Sequence, residues 1–123
     1  MPNKIVIPSI DEILEINEKL GYSVMNKGAL DFIIAKIKSK KVTNDRKKDI
    51  STAAAIIWYE IITQHPFLDG NKRTATESMK LILKINNFEL NIPMNGLVYI
   101  SLKIANNDIR FDNLKRVIYE KLR

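Results

Sequence analysis

The 123-residue chain contains no cysteine and only one histidine. Without cysteine the fold cannot use disulfides, thiolate-bound zinc or a cysteine nucleophile, which is compatible with a reducing cytoplasm. No apolar run approaches the roughly 20 residues that span a bilayer. The best candidate, residues 53–58, is soon followed by Glu60 and predicts a buried core helix. Residues 1–8 lack the apolar core and cleavage site of a signal peptide, so we expect a cytoplasmic protein with no membrane partner.

The composition is that of an ordinary globular protein, with 46% hydrophobic and 28% charged residues. At this length we expect one domain over residues 1–123. The net charge of +6 favours acidic partners without choosing among them. The densest group of cations lies in residues 36–48, where a solvated loop is the ordinary interpretation. Because no aromatic residues are interleaved with these cations, direct nucleic-acid binding is not favoured.

Apolar residues recur at helical spacing through nearly the whole chain, which predicts an all-α fold of about six helices. Ser9 and Glu12 form a capping box at the first start. The predicted helices cover about 10–20, 28–38, a central segment ending near 64, 72–86, 96–105 and 112–122. Asp49 or Ser51 is expected to cap the central helix and Asn71 the fourth. Residues 39–44 predict a loop or short hairpin, and residues 88–92 an extended piece.

The stretch from His65 to Arg73 lies between the most apolar helix and the start of the next one. Free backbone N–H groups and the positive end of the helix dipole make such a start an anion site. Gly70 lets the backbone approach a ligand closely. Lys72 and Arg73 are unfavourable beside a positive helix end, and a bound polyanion would reverse that cost. The pattern therefore indicates a phosphate-binding turn.

The other side chains of this loop add reactive groups. Asp69 offers an oxygen ligand suited to Mg²⁺, which takes one or two carboxylates together with substrate phosphates. His65 suits a general base for an incoming hydroxyl. Pro66 and Phe67 are expected to be structural, with Phe67 plugged into the core. Singly, each residue has an ordinary explanation as a cap, a turn or a solvated face, whereas their combination indicates a site.

These residues resemble the signature of the Fic/Doc family, H-x-F-x-(D/E)-G-N-x-R, and the chain is most similar to its Doc (death on curing) toxin branch. Helix order and length extend the resemblance over most of the chain, but only the loop is specific. The resemblance implies a compact helical bundle with a flap, which would hold an extended target. It implies His65 as catalytic base, Asp69 as Mg²⁺ ligand, and a nest for the phosphates of ATP. The nest comprises Gly70, Asn71, Lys72 and Arg73, and the flap comprises Lys40, Lys41, Val42 and Thr43.

Two positions differ from the Fic proteins that transfer AMP, which carry glycine where this chain has Lys72 and arginine where it has Thr76. Doc shares the sequence Asn-Lys-Arg. The resemblance therefore implies a protein kinase that transfers the ATP γ-phosphate to a Ser or Thr hydroxyl of a translation factor, of the elongation factor Tu class. AMP transfer is the alternative, and a non-catalytic basic module binding RNA or the ribosome is a second one.

Regulation is expected to come from another chain. Many Fic enzymes inhibit themselves through a helix in which a glutamate follows Ser or Thr by four residues, and no Ser or Thr of this sequence has Glu at that spacing. In Doc-like systems a small antitoxin covers the active-site groove. The resemblance therefore implies an antitoxin partner.

Overall fold

Six α-helices form the part of the chain that the computed structural model describes, residues 5–24 and 26–123. They are α1 (Ile10–Lys19), α2 (Lys27–Lys38), α3 (Arg46–Gln64), α4 (Asn71–Ile85), α5 (Met94–Ala105) and α6 (Phe111–Lys121). Extended pairing within these residues is limited to two isolated bridges, Val24 with Phe67 and Leu90 with Leu122. The predicted all-α fold is confirmed.

Helix α3 is the centre of the bundle and packs against α2, α4, α5 and α6. Nearly all of its side chains from Ile50 to Ile62 are buried, which confirms the predicted central helix. Trp58, Ile57 and Ile61 are fully inaccessible. Within the described residues no helix combines the length and apolarity needed to cross a membrane. The predicted loop therefore begins at the C-terminal end of the most buried helix of the bundle.

The starts of α1 and α3 differ in how well they were predicted. The capping box is present, because the Glu12 N–H donates to Ser9 Oγ at 3.1 Å and the Ser9 N–H donates to Glu12 Oε1 at 2.9 Å. For α3 the prediction of Asp49 or Ser51 as cap is wrong. Asp45 caps the helix, since its Oδ1 accepts from the Lys48 N–H at 3.1 Å. The charged residues 46–48 form a first helical turn that the sequence pattern suggested was loop.

The start of α4 also differs from the prediction. Gly70 is the N-cap, with a left-handed φ of 73°, and Asn71 is the first helical residue. The prediction that Asn71 caps this helix is therefore wrong. Its side chain turns back to Phe67 instead. A left-handed residue at the cap suits glycine, which has no Cβ to clash.

Two further contacts hold the chain ends. The Asn86 amide pairs with the backbone of Val6, accepting from its N–H and donating to its carbonyl oxygen, each at 2.8 Å. Glu89 and Arg123 exchange two backbone hydrogen bonds of 2.8 and 2.9 Å. The extended piece predicted over residues 88–92 is thus confirmed, and it pairs with the last residues of the chain.

Candidate active site

His65 lies where α3 ends, in a left-handed conformation with φ 50° and ψ 57°. Such a conformation is uncommon for a residue other than glycine. It turns the chain sharply out of the helix, and Pro66 follows as a buried residue. The His65 side chain is exposed, so its imidazole is open to an incoming substrate. Strained backbone of this kind is frequent at functional sites.

One edge of the loop is held by the Asn71 side chain. Its Oδ1 accepts from the Phe67 N–H at 3.1 Å, and its Nδ2 donates to the Phe67 carbonyl at 3.0 Å. Phe67 itself is only 1% exposed, which confirms its predicted place in the core. Both polar ends of the Asn71 amide are thus engaged inside the loop. Asn71 can contribute to an anion site through its backbone N–H, while its side chain keeps the loop closed.

The opposite edge of the loop is held by the segment between α1 and α2, which we call the adjoining segment (residues 22–24 and 26). The Asn26 N–H donates to the Pro66 carbonyl at 2.8 Å, and the Leu68 N–H donates to the Ser23 carbonyl at 3.1 Å. Val24 and Phe67 form the bridge between these bonds. Sequence reasoning missed this segment, because a short stretch between helices carries no periodic signal.

Asn17 of α1 also holds the loop, and sequence reasoning missed it as well. Its side chain is 1% exposed, and its Nδ2 donates to the Asp69 carbonyl at 3.1 Å and to Thr74 Oγ1 at 3.0 Å. Its Oδ1 is buried with no hydrogen-bond partner in the described structure. The available signal was an amide one turn after Ile13, on the apolar face of α1. The loop is therefore held by three partners: Asn71, the adjoining segment and Asn17.

The start of α4 has the free N–H groups that the predicted anion cradle requires. Its first helical hydrogen bond runs from the Thr74 N–H to the Gly70 carbonyl at 2.8 Å, so the N–H groups of residues 71–73 precede the helical ladder. The exposed side chains of Lys72 and Arg73 stand at the same turn. The Gly70 N–H is engaged, because it donates to Asp69 Oδ1 at 2.7 Å. The cradle is thus made of three N–H groups, two cations and the positive end of the helix dipole.

Asp69 fits the predicted role of a Mg²⁺ ligand. Asp69 is exposed, and among the described residues only its Oδ1 is hydrogen-bonded, to the Gly70 N–H, which leaves Oδ2 for a ligand. The described residues hold no group of three or more His, Asp or Glu side chains that could enclose a metal. A single carboxylate is sufficient for Mg²⁺ where substrate phosphates supply further ligands.

Thr76 lies on the inner face of α4, away from the cradle. It is 6% exposed, and its Oγ1 lies 2.9 Å from the Lys72 carbonyl and 3.0 Å from Ser101 Oγ. Ser101 in turn accepts from Trp58 Nε1 at 2.9 Å. Since Thr76 gives its only proton to Lys72, Ser101 must be the donor to Thr76. This position therefore belongs to the core.

The predicted flap, Lys40 to Thr43, lies at the far end of α3. Both Asp49 carboxylate oxygens accept from Thr43, at 2.9 Å from its N–H and 2.7 Å from its hydroxyl, which ties this loop to the first turns of α3. His65 caps the other end of that 19-residue helix, about 28 Å away along its axis. The prediction that residues 40–43 lie as a flap beside the loop of His65 is therefore wrong, and the adjoining segment contacts this loop instead.

A wide groove of about 1010 Å³ continues from Arg73 between α1, α4 and residues 88–97. Its apolar wall includes Ile16, Leu81, Phe88 and Leu97, and its rim carries charges of both signs. Arg73 thus joins the cradle to this groove. His65, Asp69 and Asn71 do not line it.

An exposed histidine on the same loop as a cationic helix start and an exposed carboxylate is compatible with phosphoryl or nucleotidyl transfer. The model of the Fic/DOC family matches residues 8–83, more than half of the chain and all of the loop. The chain belongs to the Fic/DOC family, as the loop predicted, and this supports a nucleotide-dependent transferase as its broad class. No curated protein and no solved structure matches the chain.

Proposed function

We propose that the chain is a Doc-type protein kinase that moves the γ-phosphate of ATP to a Ser or Thr hydroxyl of a translation factor, of the elongation factor Tu class. The observation that supports this proposal is the burial of Thr76 in the core. Fic proteins that transfer AMP carry an arginine at this position, and here the position is a threonine that is buried and hydrogen-bonded to Ser101. Helix α4 therefore offers no second arginine to the distal phosphates.

In the proposed reaction His65 accepts the proton of the target hydroxyl as its oxygen attacks the γ-phosphorus. The new O–P bond forms while the bond to the β-phosphate oxygen breaks, and ADP leaves. The N–H groups of residues 71–73, with Lys72 and Arg73, bind the phosphates and stabilise the charge that develops. Asp69 would hold Mg²⁺ together with these phosphates, and the bound ion would add to that neutralisation.

The adjoining segment replaces residues 40–43 as the proposed target-binding flap. Its bridge with Phe67 uses the backbone groups that flank Val24. The N–H and carbonyl of Val24 itself have no partner among the described residues, and its side chain is 40% exposed. An extended target segment could pair with this edge by adding a strand. That would bring a target hydroxyl toward His65 on the same loop.

The groove beside Arg73 is the proposed site of an antitoxin. It is large enough for a peptide or helix, and it reaches the phosphate cradle through a single side chain. A chain seated there would cover Arg73 and so compete with ATP. This proposal rests on the kinase function and on the groove's shape.

The deciding experiment incubates the wild type with a cell lysate and ATP labelled at either the α- or the γ-phosphate. A kinase labels a protein from γ-labelled ATP only, and His65→Ala abolishes the label, whereas the matched surface variant Lys121→Ala retains it. Label from α-labelled ATP would instead establish AMP transfer. If neither label transfers and the His65→Ala variant still inhibits cell growth, both activities are excluded in favour of a binding module on RNA or the ribosome.

A further inference from the structure

A second cavity, which we call the lysine-rimmed pocket, lies at the end of α3 opposite His65. It encloses about 390 Å³ between residues 5–7, the end of α2, residues 40–43 and the first turns of α3. This volume is within the range of small-molecule sites, about 300 to 1,000 Å³. Neither the catalytic loop nor the groove beside Arg73 shares a residue with it. The proposed phosphotransfer leaves this pocket without a role.

The interior of the pocket is apolar. Its walls are Ile5, Ile7, Ile37, Val42 and Ala53. The hydroxyl groups among the lining residues, those of Thr43 and Thr52, are already paired. The Thr43 hydroxyl and N–H both bond Asp49, as described above, and the Thr52 hydroxyl donates to the Lys48 carbonyl at 3.0 Å. A ligand with a polar body, such as a nucleobase or a sugar, would find few free partners there.

The rim of the pocket is cationic. Four lysines line it: Lys38, Lys40, Lys41 and Lys48. None of them forms an ion pair within residues 5–24 and 26–123. Asp49 is the one acidic residue of the lining, and both of its oxygens are engaged by Thr43. Four lysines in the lining of one pocket favour an anionic ligand.

Lys48 supports this inference in a second way. Arg46, Lys47 and Lys48 open α3, where cations oppose the helix dipole. Two of these side chains have structural contacts, because Arg46 donates to the Asn86 carbonyl at 3.1 Å and Lys47 lies 4.5 Å from the centroid of the Tyr119 ring. The Lys48 side chain lines the pocket and has no such contact within residues 5–24 and 26–123. An anion at the rim would remove the conflict.

We propose that the lysine-rimmed pocket binds an anionic amphiphile of the medium-chain fatty acid class, with its alkyl chain against the isoleucines and its carboxylate among the lysines. The apolar walls would exclude a ligand that needs hydrogen bonds along its body, and the rim would select the charged end. One small chain suits the enclosed volume better than a macromolecule does.

Calorimetric titration of the full chain with hexanoate, octanoate and decanoate, each below its micelle concentration, tests this proposal. Each buried methylene should tighten binding by roughly fourfold, from about 0.8 kcal/mol per CH₂ and 1.4 kcal/mol per tenfold change. Octanol and octylammonium should bind at least tenfold more weakly than octanoate. Equal binding of octylammonium and octanoate would overturn the proposal, as would inorganic phosphate binding as tightly as decanoate, or uptake onto anionic vesicles without binding of free decanoate.

Two variants locate the site. The double variant Lys41→Glu and Lys48→Glu should lose at least tenfold in decanoate affinity, whereas Lys27→Glu with Lys121→Glu, the same charge change on exposed residues elsewhere, should not. Thr52→Leu would fill the half-buried edge of the pocket with a good helix former, and should weaken decanoate without lowering the unfolding midpoint. If Thr52→Leu left decanoate binding unchanged, the ligand would lie elsewhere and the proposal would fail.

Discussion

The side chain of Asn71 forms two hydrogen bonds with the backbone of Phe67, accepting from the N–H at 3.1 Å and donating to the carbonyl at 3.0 Å. The pair closes the loop that separates His65 from the phosphate cradle. Asn71 thus acts on the shape of the loop, because both ends of its side-chain amide are hydrogen-bonded to Phe67. A substitution at this residue should lower the reaction rate by displacing His65 and Asp69.

We therefore expect Asn71→Asp to lower both stability and activity. The carboxylate keeps the acceptor for the Phe67 N–H but faces the Phe67 carbonyl without a proton. Loss of this donor should cost about 1–3 kcal/mol in the free energy of unfolding, measured by urea denaturation. Asn91→Asp, an exposed site outside the helices, is the matched control. A wild-type unfolding energy in Asn71→Asp would contradict the structural role of the amide.

Gly70 and Tyr22 give a second prediction. A Cβ on Gly70 would lie 2.6 Å from Tyr22 Cδ2 and 2.9 Å from Cε2, at a φ of +73°. Gly70→Ala should therefore combine backbone strain of about 1 kcal/mol with a steric clash. Gly21→Ala isolates the backbone part, because its φ is +88° and nothing lies within 4 Å of its added Cβ.

Unfolding energies of the two variants should differ, with Gly70→Ala the less stable. Adding Tyr22→Ala to Gly70→Ala should remove the steric clash, so the double variant should lose only the unfolding free energy that is due to backbone strain at residue 70. Equal losses in Gly70→Ala and Gly21→Ala would show that the tyrosine ring moves aside without cost.

Thr76 supplies a prediction on the choice of reaction. Because this side chain is buried and bonded to Lys72 and Ser101, Thr76→Arg would place an unpaired charge in the core. It should cost about 3 kcal/mol or more in unfolding free energy rather than create AMP transfer. Thr76→Val should cost about 1–2 kcal/mol, since it leaves the Ser101 hydroxyl without its acceptor.

Thr63→Val is the matched control, because Thr63 makes the same hydroxyl bond to the carbonyl four residues earlier on the exposed side of α3. Thermal melts and α-labelled ATP assays of the three variants check the argument. A stable Thr76→Arg protein that transfers AMP would contradict the core placement of this residue.

Periodicity was sufficient to predict the helices and their buried faces. Leu30, Ile33, Ile34 and Ile37 of α2 recur at helical spacing, and all four are buried. The capping box was also predictable, because both of its hydrogen bonds join residues three apart. The family was predictable from the loop because the chemistry of its residues is local in the sequence.

Contacts between residues distant in sequence were not predictable. Asn17 reaches residues 52 and 57 positions away, and a pattern of helical periodicity contains no information on such pairs. The adjoining segment escaped notice for the same reason. The flap was misplaced because the family resemblance assigned it to the basic loop of residues 40–43, whereas the structure places this loop at the opposite end of α3 from His65. The lysines of residues 40–43 are recognisable in the sequence as a charged surface, but the sequence does not give their distance from His65.

The pairing of Tyr119 with Asp45 gives a prediction on pH. The Tyr119 hydroxyl donates to Asp45 Oδ2 at 3.3 Å. The negative charge of Asp45 raises the pKa of Tyr119 above its ordinary value of 10.0, and burial and this hydrogen bond act in the same direction. The Lys47 ammonium above the ring does not reverse this direction. The folded chain therefore holds the tyrosine proton more tightly than the unfolded chain does.

This contribution to stability is complete below about pH 10, where the residue is protonated in both states. It declines as the pH rises through the folded pKa, because the unfolded chain loses the proton first. Asp45→Asn should lower the Tyr119 pKa and reduce this alkaline loss, while keeping the cap of α3, since asparagine caps as well as aspartate. Unfolding energies measured across this pH range, with Tyr119→Phe as control, should show the difference only where Tyr119 is present. An identical alkaline loss in wild type, Asp45→Asn and Tyr119→Phe would contradict the linkage.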